Sequence, residues 1–300
     1  MSTKRVKTSV LNLSYEEGGP KNGLPVILLH GWPDSPRTWT GVVPHLHAAG
    51  YRTIVPYLRG YGPTSFRSFL LSRSPRRSGQ AVAFAQDVID LADELKLRRF
   101  AFVGHDWGAR TAYALAALFP SRLSSITGIS VPFSPGGGTK LPTLAQSRAW
   151  WYQWFLCSTP GAKQFVGDPI AFARKQWETW SPEGWFDERE FAATAESWKN
   201  EDFAEITLHA YRSRWGHAEN DPRYDPLQAR YVSTMTLSVP ALLLQGMEDA
   251  CVLPETTDGA GRHFTGPYSR VLLDGVGHFP SREAPDEVAE HVVRHLQVHV

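Results

Sequence analysis

Short apolar runs rich in β-branched residues recur along the chain, each closed by glycine, proline or a charged residue. PVILLH (Pro25 to His30), YRTIVPY (Tyr51 to Tyr57), FAFVGH (Phe100 to His105) and LSSITGIS (Leu123 to Ser130) have strand length and little polar alternation, the pattern of strands covered on both faces. Between them the period changes. In AVAFAQDVIDLADELKL the apolar positions Val82, Ala85, Ile89, Ala92 and Leu95 fall near one face of a 3.6-residue repeat, and ARTAYALAALF is helix-favouring until Pro120 stops it. Strand and helix alternate, which predicts an α/β class with a mostly parallel sheet and helices on both faces.

The alternation fails after about Pro132. SPGGGTKLPT leads into a different composition, and the stretch from Trp150 to Trp215 holds eight of the eleven tryptophans. The strand-helix pattern resumes at VPALLLQG (Val239 to Gly246), continues at SRVLLDG (Ser269 to Gly275) and ends in the helix-like DEVAEHVVRHLQ. The simplest division is a core of residues 1–133 and 233–300 interrupted by a helical cap insertion of residues 134–232.

Composition narrows the partners. Three hundred residues, 42% hydrophobic, suffice for one large domain with an insertion, and a net charge of +1 gives no footprint for nucleic acid or an anionic membrane. Two distant cysteines, Cys157 and Cys251, form neither a disulfide framework nor a zinc spacing and fit a reducing, cytoplasmic setting. No apolar run has the length of a signal peptide core or a membrane span, so a soluble, unprocessed chain acting on a small molecule is expected. The arginines of SFRSFLLSRSPRRSGQ (Arg67, Arg73, Arg76, Arg77) read as a solvated loop rather than an anion site. His291 and His295 are four apart on the last helix but lack a third ligand, so no metal is expected.

Candidate chemistry concentrates at GHDWG. Gly104, Asp106 and Gly108 lie between a predicted strand and a predicted helix, the context of a nucleophile elbow, where small neighbours allow a sharp turn and the helix N-terminus favours developing negative charge. A helix N-cap role would explain the aspartate but not both glycines. An elbow serine must first lose a proton, whereas a carboxylate with an ordinary pKa of about 3.9 is already ionised at neutral pH. Asp106 therefore attacks without a base and forms an alkyl ester of itself, which water must then cleave with the help of one.

His278, in the glycine-flanked turn LLDGVGHF, is the candidate base, and Asp249, three residues after Gly246, its acid partner in preference to the adjacent Glu248. Their order, nucleophile then acid then histidine, suits this arrangement. The backbone N–H groups of Trp32, in LLHGWPDS, and of Trp107 are expected to form an oxyanion hole, with Pro33 fixing the loop as a candidate for a cis bond and His30 packing it.

Together HGWP, RGYG (Arg59 to Gly62), GHDWGAR, GMED and VGHF resemble the epoxide hydrolase branch of the α/β-hydrolase superfamily over nearly the whole chain. The resemblance implies the α/β-hydrolase fold with a helical cap, no metal or organic cofactor, and hydrolysis of a small-molecule epoxide to a diol through an Asp106 ester. It also implies two cap tyrosines opposite the nucleophile. TLHAYRSRW offers Tyr211; AWWYQWFLCSTPGA offers Tyr152, with Trp151 as an alternative N–H donor, while Trp150, Trp154 and Pro33 are candidates for substrate binding. The tryptophan-rich cap suggests an apolar, aromatic or otherwise bulky epoxide. Haloalkane and haloacetate dehalogenases are similar in the same places and form the alternative. The former prefer asparagine where Trp32 stands, and the latter an arginine where Trp107 stands, although Arg110 remains as half of a carboxylate clamp. A binding protein without turnover is disfavoured by the intact set of Asp106, Asp249 and His278. The oligomeric state is left open.

Overall fold

The computed structural model describes residues 2–68, 75–136 and 141–299. Arg73 and part of the glycine-rich entry to the insertion lie outside the described residues. The chain opens with β1 (Ser2–Lys7), β2 (Leu11–Gly18) and β3 (Pro25–Leu29), followed by α1 (Val43–Ala48), β4 (Arg52–Pro56) and the short β5 (Ser65–Phe66). Next come α2 (Ala81–Glu94), β6 (Phe100–His105), α3 (Trp107–Leu118) and β7 (Leu123–Ile129). The helices α4 (Leu144–Ala149), α5 (Trp151–Cys157), α6 (Thr159–Gly167), α7 (Pro169–Trp180), α8 (Glu188–Ala195), α9 (Phe203–Arg214) and α10 (Asp225–Ser233) then intervene without a strand. β8 (Ala241–Gly246), β9 (Tyr268–Leu273), α11 (Pro280–Glu283) and α12 (Pro285–His299) complete the order.

The strands form one sheet in the order β1-β2-β4-β3-β6-β7-β8-β9, with β5 on β2. From β4 to β9 every pairing is parallel, as the buried apolar runs predict. The antiparallel β1 and β2 are additional to the predicted set. β1 is mostly exposed, so no buried run marks it. Side-chain alternation divides the core. Val26 and Leu28 of β3 and Ala101 and Val103 of β6 pack with α1 and α12 on one face; Ile27, Leu29, Phe100 and Phe102 pack with α2 and α3 on the other.

The predicted helices at Ala81 and Ala109 are α2 and α3, and α3 begins two residues early, at Trp107, directly after Asp106. Among the described residues no helix is long and apolar enough to cross a membrane. Arg77 is not simply solvated, since it pairs at 2.8 Å with Asp202 just before α9. Arg59 of RGYG is fully buried, with two bonds of 2.7 Å to the carboxylate of Asp87 on α2 and a third of 3.0 Å to the hydroxyl of Tyr224. It thus ties the loop after β4 to α2 and to the helical insertion.

Candidate active site

Asp106 directly follows β6 at a positive φ of 51°, with ψ −107°, a backbone conformation that costs on the order of 1–3 kcal/mol for a residue with a side chain. The surrounding glycines make the turn sterically possible. A Cβ on Gly104 would stand 2.1 Å from the Gly108 carbonyl oxygen, and one on Gly108 2.1 Å from that of Leu29. Although Asp106 occupies the N-cap position of α3, its side chain makes no capping bond. Its Oδ1 instead accepts the backbone N–H of Trp32 at 2.9 Å. The carboxylate is turned across the sheet end toward the loop after β3, and the N-cap explanation of the aspartate does not describe it.

His278 follows β9 on a loop held from several sides. Its amide donates to Ser181 Oγ at 2.8 Å, its carbonyl accepts from Ser130 Oγ at 3.0 Å and meets His105 Nε2 at 2.7 Å, and Glu283 accepts the amides of Gly277 and Phe279 at 2.6 and 2.8 Å. The ring is fully buried. Nδ1 lies 2.9 Å from Asp249 Oδ2, while Nε2 points to Asp106 Oδ2 at 3.9 Å and has no hydrogen-bond partner among the described residues. Asp249 is itself fixed: Oδ1 accepts the amides of Cys251 and Val252, each at 2.8 Å, and Oδ2 also accepts from Gln245 at 3.1 Å. Burial opposes the charged imidazolium, but the negative charges of Asp249 and Asp106 outweigh it and raise the pKa of His278 above its ordinary 6.5. Glu248, the rival to Asp249, is exposed.

Asp249, Cys251 and His278 also bring three potential metal-ligand atoms within 4.8 Å of one another. The carboxylate and imidazole already use theirs in the hydrogen bond between them, which leaves the thiol without a ligand pair.

The two tyrosines lie together above this set. Trp32 packs its ring 5.5 Å from Tyr152 and 5.4 Å from Tyr211, and the phenols meet edge to face at 5.4 Å. Tyr152 accepts a bond of 2.9 Å from Gln153 and lies 3.5 Å from Cys251 Sγ, whereas the buried Tyr211 hydroxyl has no partner of good geometry among the described residues. Burial first, then the charge of Asp106, hold the Tyr211 phenol well above its ordinary value of 10. Burial and Cys251 do the same to Tyr152, with smaller contributions from Tyr211 and Asp106. Both phenols feel the carboxylate, and the Tyr211 proton is the less engaged.

The other aromatic candidates separate. Trp151, next to Tyr152 on α5 and so about 100° round the helix, is 43% exposed and packs on Phe155 and Phe172; it does not face Asp106. Trp154 gives its indole N–H to Ser147 O and lies 4.4 Å from Trp215, inside the packing of the insertion. Trp150 lines an outer cavity. The Trp32–Pro33 bond is cis, and the Pro33 carbonyl accepts the Trp177 indole N–H at 2.7 Å. His30 is buried, accepting the Leu58 amide at 3.2 Å, as a packing residue.

Sequence reasoning missed the residues that hold the site. Trp180 contacts the His278 ring at 4.9 Å. Arg282 binds Asp34 at 2.6 Å beside the Trp32 loop and Glu190 of α8 at 2.6 Å. Their partners are far apart in sequence, so no local spacing announces them.

Residues 25–285 match the family model described as alpha/beta hydrolase fold. The chain belongs to the α/β-hydrolase fold family. Within it the similarity runs to proteins named for epoxides. Epoxide hydrolase A of Mycobacterium tuberculosis is 27% identical, with 97% of this chain and 96% of the relative aligned. An epoxide hydrolase of Caballeronia sordidicola is 28% identical over 97% and 92%. A crystal structure from Klebsiella pneumoniae, provisionally named an epoxide hydrolase, superposes with a TM-score of 0.91 at 35% identity, covering 98% of this chain and 97% of its own.

Proposed function

We propose that the chain is an epoxide hydrolase that opens an apolar ring through a covalent ester of Asp106, with residues 134–232 acting as its cap. The observation that carries the reading is that the Asp106 carboxylate stands 3.9 Å from the unpartnered Nε2 of His278 while its charge acts on the buried Tyr211 hydroxyl, whose proton has no acceptor of good geometry among the described residues. A carboxylate that alkylates and a phenol that can release a proton are what ring opening needs. Relatives aligned over nearly their full length carry that activity in their names.

The two carboxylate oxygens divide the work. Oδ1 is already held by the Trp32 amide, which leaves Oδ2 to attack a ring carbon as the C–O bond breaks and the ring oxygen takes the Tyr211 proton. Tyr152 supports Tyr211 as the second phenol. Water, losing a proton to His278 Nε2, then attacks Cγ. The resulting charge collects on Oδ1, where the Trp32 amide and the Trp107 amide in the unpaired first turn of α3 stabilise it. On collapse the Cγ–Oδ2 bond breaks, the diol leaves with Oδ2 and takes the proton from His278, and the proton on the new carboxyl group returns to the tyrosinate.

A panel of alkyl and aryl epoxides, haloalkanes and fluoroacetate tests the leaving group. Diol formation from the epoxides is the expected result; rapid halide release without any diol would overturn it.

A further inference from the structure

The cavity next to the elbow is lined by two arginines and by no acid. It holds about 290 Å³, reaches Trp107 and Tyr211, and includes Arg110 and Arg214 but no Asp or Glu in its lining. An adjoining cavity of about 460 Å³ shares both arginines and adds Arg262 and His263. Its one acid, Asp258, is paired with Arg270 at 2.8 Å.

Two arginines with almost no exposed side chain have carboxylates: Arg59 has Asp87, and Arg282 has Asp34 and Glu190. Among the described residues Arg110 and Arg214 have none. Arg214 is held in place by aromatic faces instead, its guanidinium carbon 4.6 Å from the Trp150 ring and 4.8 Å from the Trp215 ring, with one long contact of 3.4 Å to Gln153. Its Nε is shut off from solvent and unpartnered. Burial and then the neighbouring Arg110 disfavour its charge by more than Tyr152, Tyr211 and Asp106 favour it, a cost that an anion between the two arginines would offset.

The spacing relates this pair to the reacting groups. Arg110 lies four residues after Asp106 at the start of α3, and Arg214 three residues after Tyr211 on α9. Each helix therefore presents a reacting group and, one turn further on, a guanidinium, a step of roughly 5–6 Å. Phe84, Tyr113 and Val232 supply apolar wall between.

We propose that Arg110 and Arg214 grip a carboxylate, so that the substrate is an epoxy acid whose carboxylate stands a few bonds from the ring. Paired guanidinium groups match a planar carboxylate by parallel N–H bonds. The inference rests on the epoxide hydrolase reading for its ring and on the cavity for its acid.

The test compares sodium trans-3-phenylglycidate with 3-phenylglycidamide, of the same shape without the charge. The ratio of their kcat/KM values should favour the acid by about tenfold or more, mostly through KM, and fall to near one in Arg214→Met and Arg110→Met. Because the ratio is internal, partial loss of folded enzyme cancels. A ratio near one in the unmodified protein, or a preference that survives both substitutions, overturns the proposal while leaving the hydrolase reading standing. Calorimetry with unreactive 3-phenylpropanoate and its amide separates binding from chemistry. Tighter binding of the acid, lost in Arg214→Met, upholds the arginine subsite even if neither epoxide is opened, in which case the hydrolase reading falls. Equal binding of acid and amide overturns the subsite.

Discussion

Asp106, the proposed nucleophile, is held in a backbone conformation where few residues with side chains go, and its carboxylate binds the Trp32 amide rather than capping α3. Asp106→Asn keeps this shape but removes the anion that attacks, so diol formation should fall by at least about 10³-fold with Tm little changed; retained turnover would mean another nucleophile. Tyr211→Phe should slow ring opening about 10- to 100-fold, since Tyr152 remains, and affect hydrolysis of a preformed ester far less. An unchanged epoxide rate would remove Tyr211 from the mechanism. His278 acts as a base only when neutral, and its pKa is raised above 6.5 by Asp249 and Asp106 against the effect of burial. The ester-hydrolysis rate should therefore rise with pH, inflect above 6.5 and level off. Asp249→Asn removes the anion that favours imidazolium, so the inflection should move down while the plateau drops by about 10²–10⁴-fold. An upward shift would contradict this. The elbow, acid and histidine were legible in the sequence because each follows a predicted strand, with a glycine within three residues. Trp151 was not separable from Tyr152 there, because adjacent residues on a helix differ only in the direction they face, which packing sets.

Between elements, the loops that carry the site are tied by buried charge rather than by strand pairing. Arg282, directly after the His278 loop, bridges Asp34 of the Trp32 loop and Glu190 of α8. Arg282→Met should lower stability by about 3–5 kcal/mol in denaturant unfolding, since it leaves Asp34 buried without its counter-charge. A loss below about 1 kcal/mol would show that water reaches Asp34. The parallel strands and the helices α2, α3 and α12 could be read from periodicity alone, because each buries a continuous face. The helices of the insertion could not be delimited, because their tryptophans pack on one another in several directions and leave no single apolar stripe. β1 escaped notice for the opposite reason, being exposed along most of its length.

Over the whole molecule a net charge of +1 conceals an uneven distribution. Asp87 and Asp34 are paired with buried arginines at the joints, while Arg110 and Arg214 line one cavity beside the elbow with no ion-paired acid among the described residues. Composition excluded a nucleic-acid surface but had no means of showing a cationic cavity, since its two arginines are about a hundred residues apart in the chain. The proposed function turns on one event, transfer of an alkyl group to Asp106. A single turnover of a neutral aryl epoxide by excess enzyme in heavy-oxygen water follows that transfer atom by atom. The covalent route predicts an unlabelled diol, its new oxygen drawn from Asp106, and label appearing in the Asp106 carboxylate of the recovered protein. Label in the first-turnover diol, with none in the protein, would mean that water opens the ring directly.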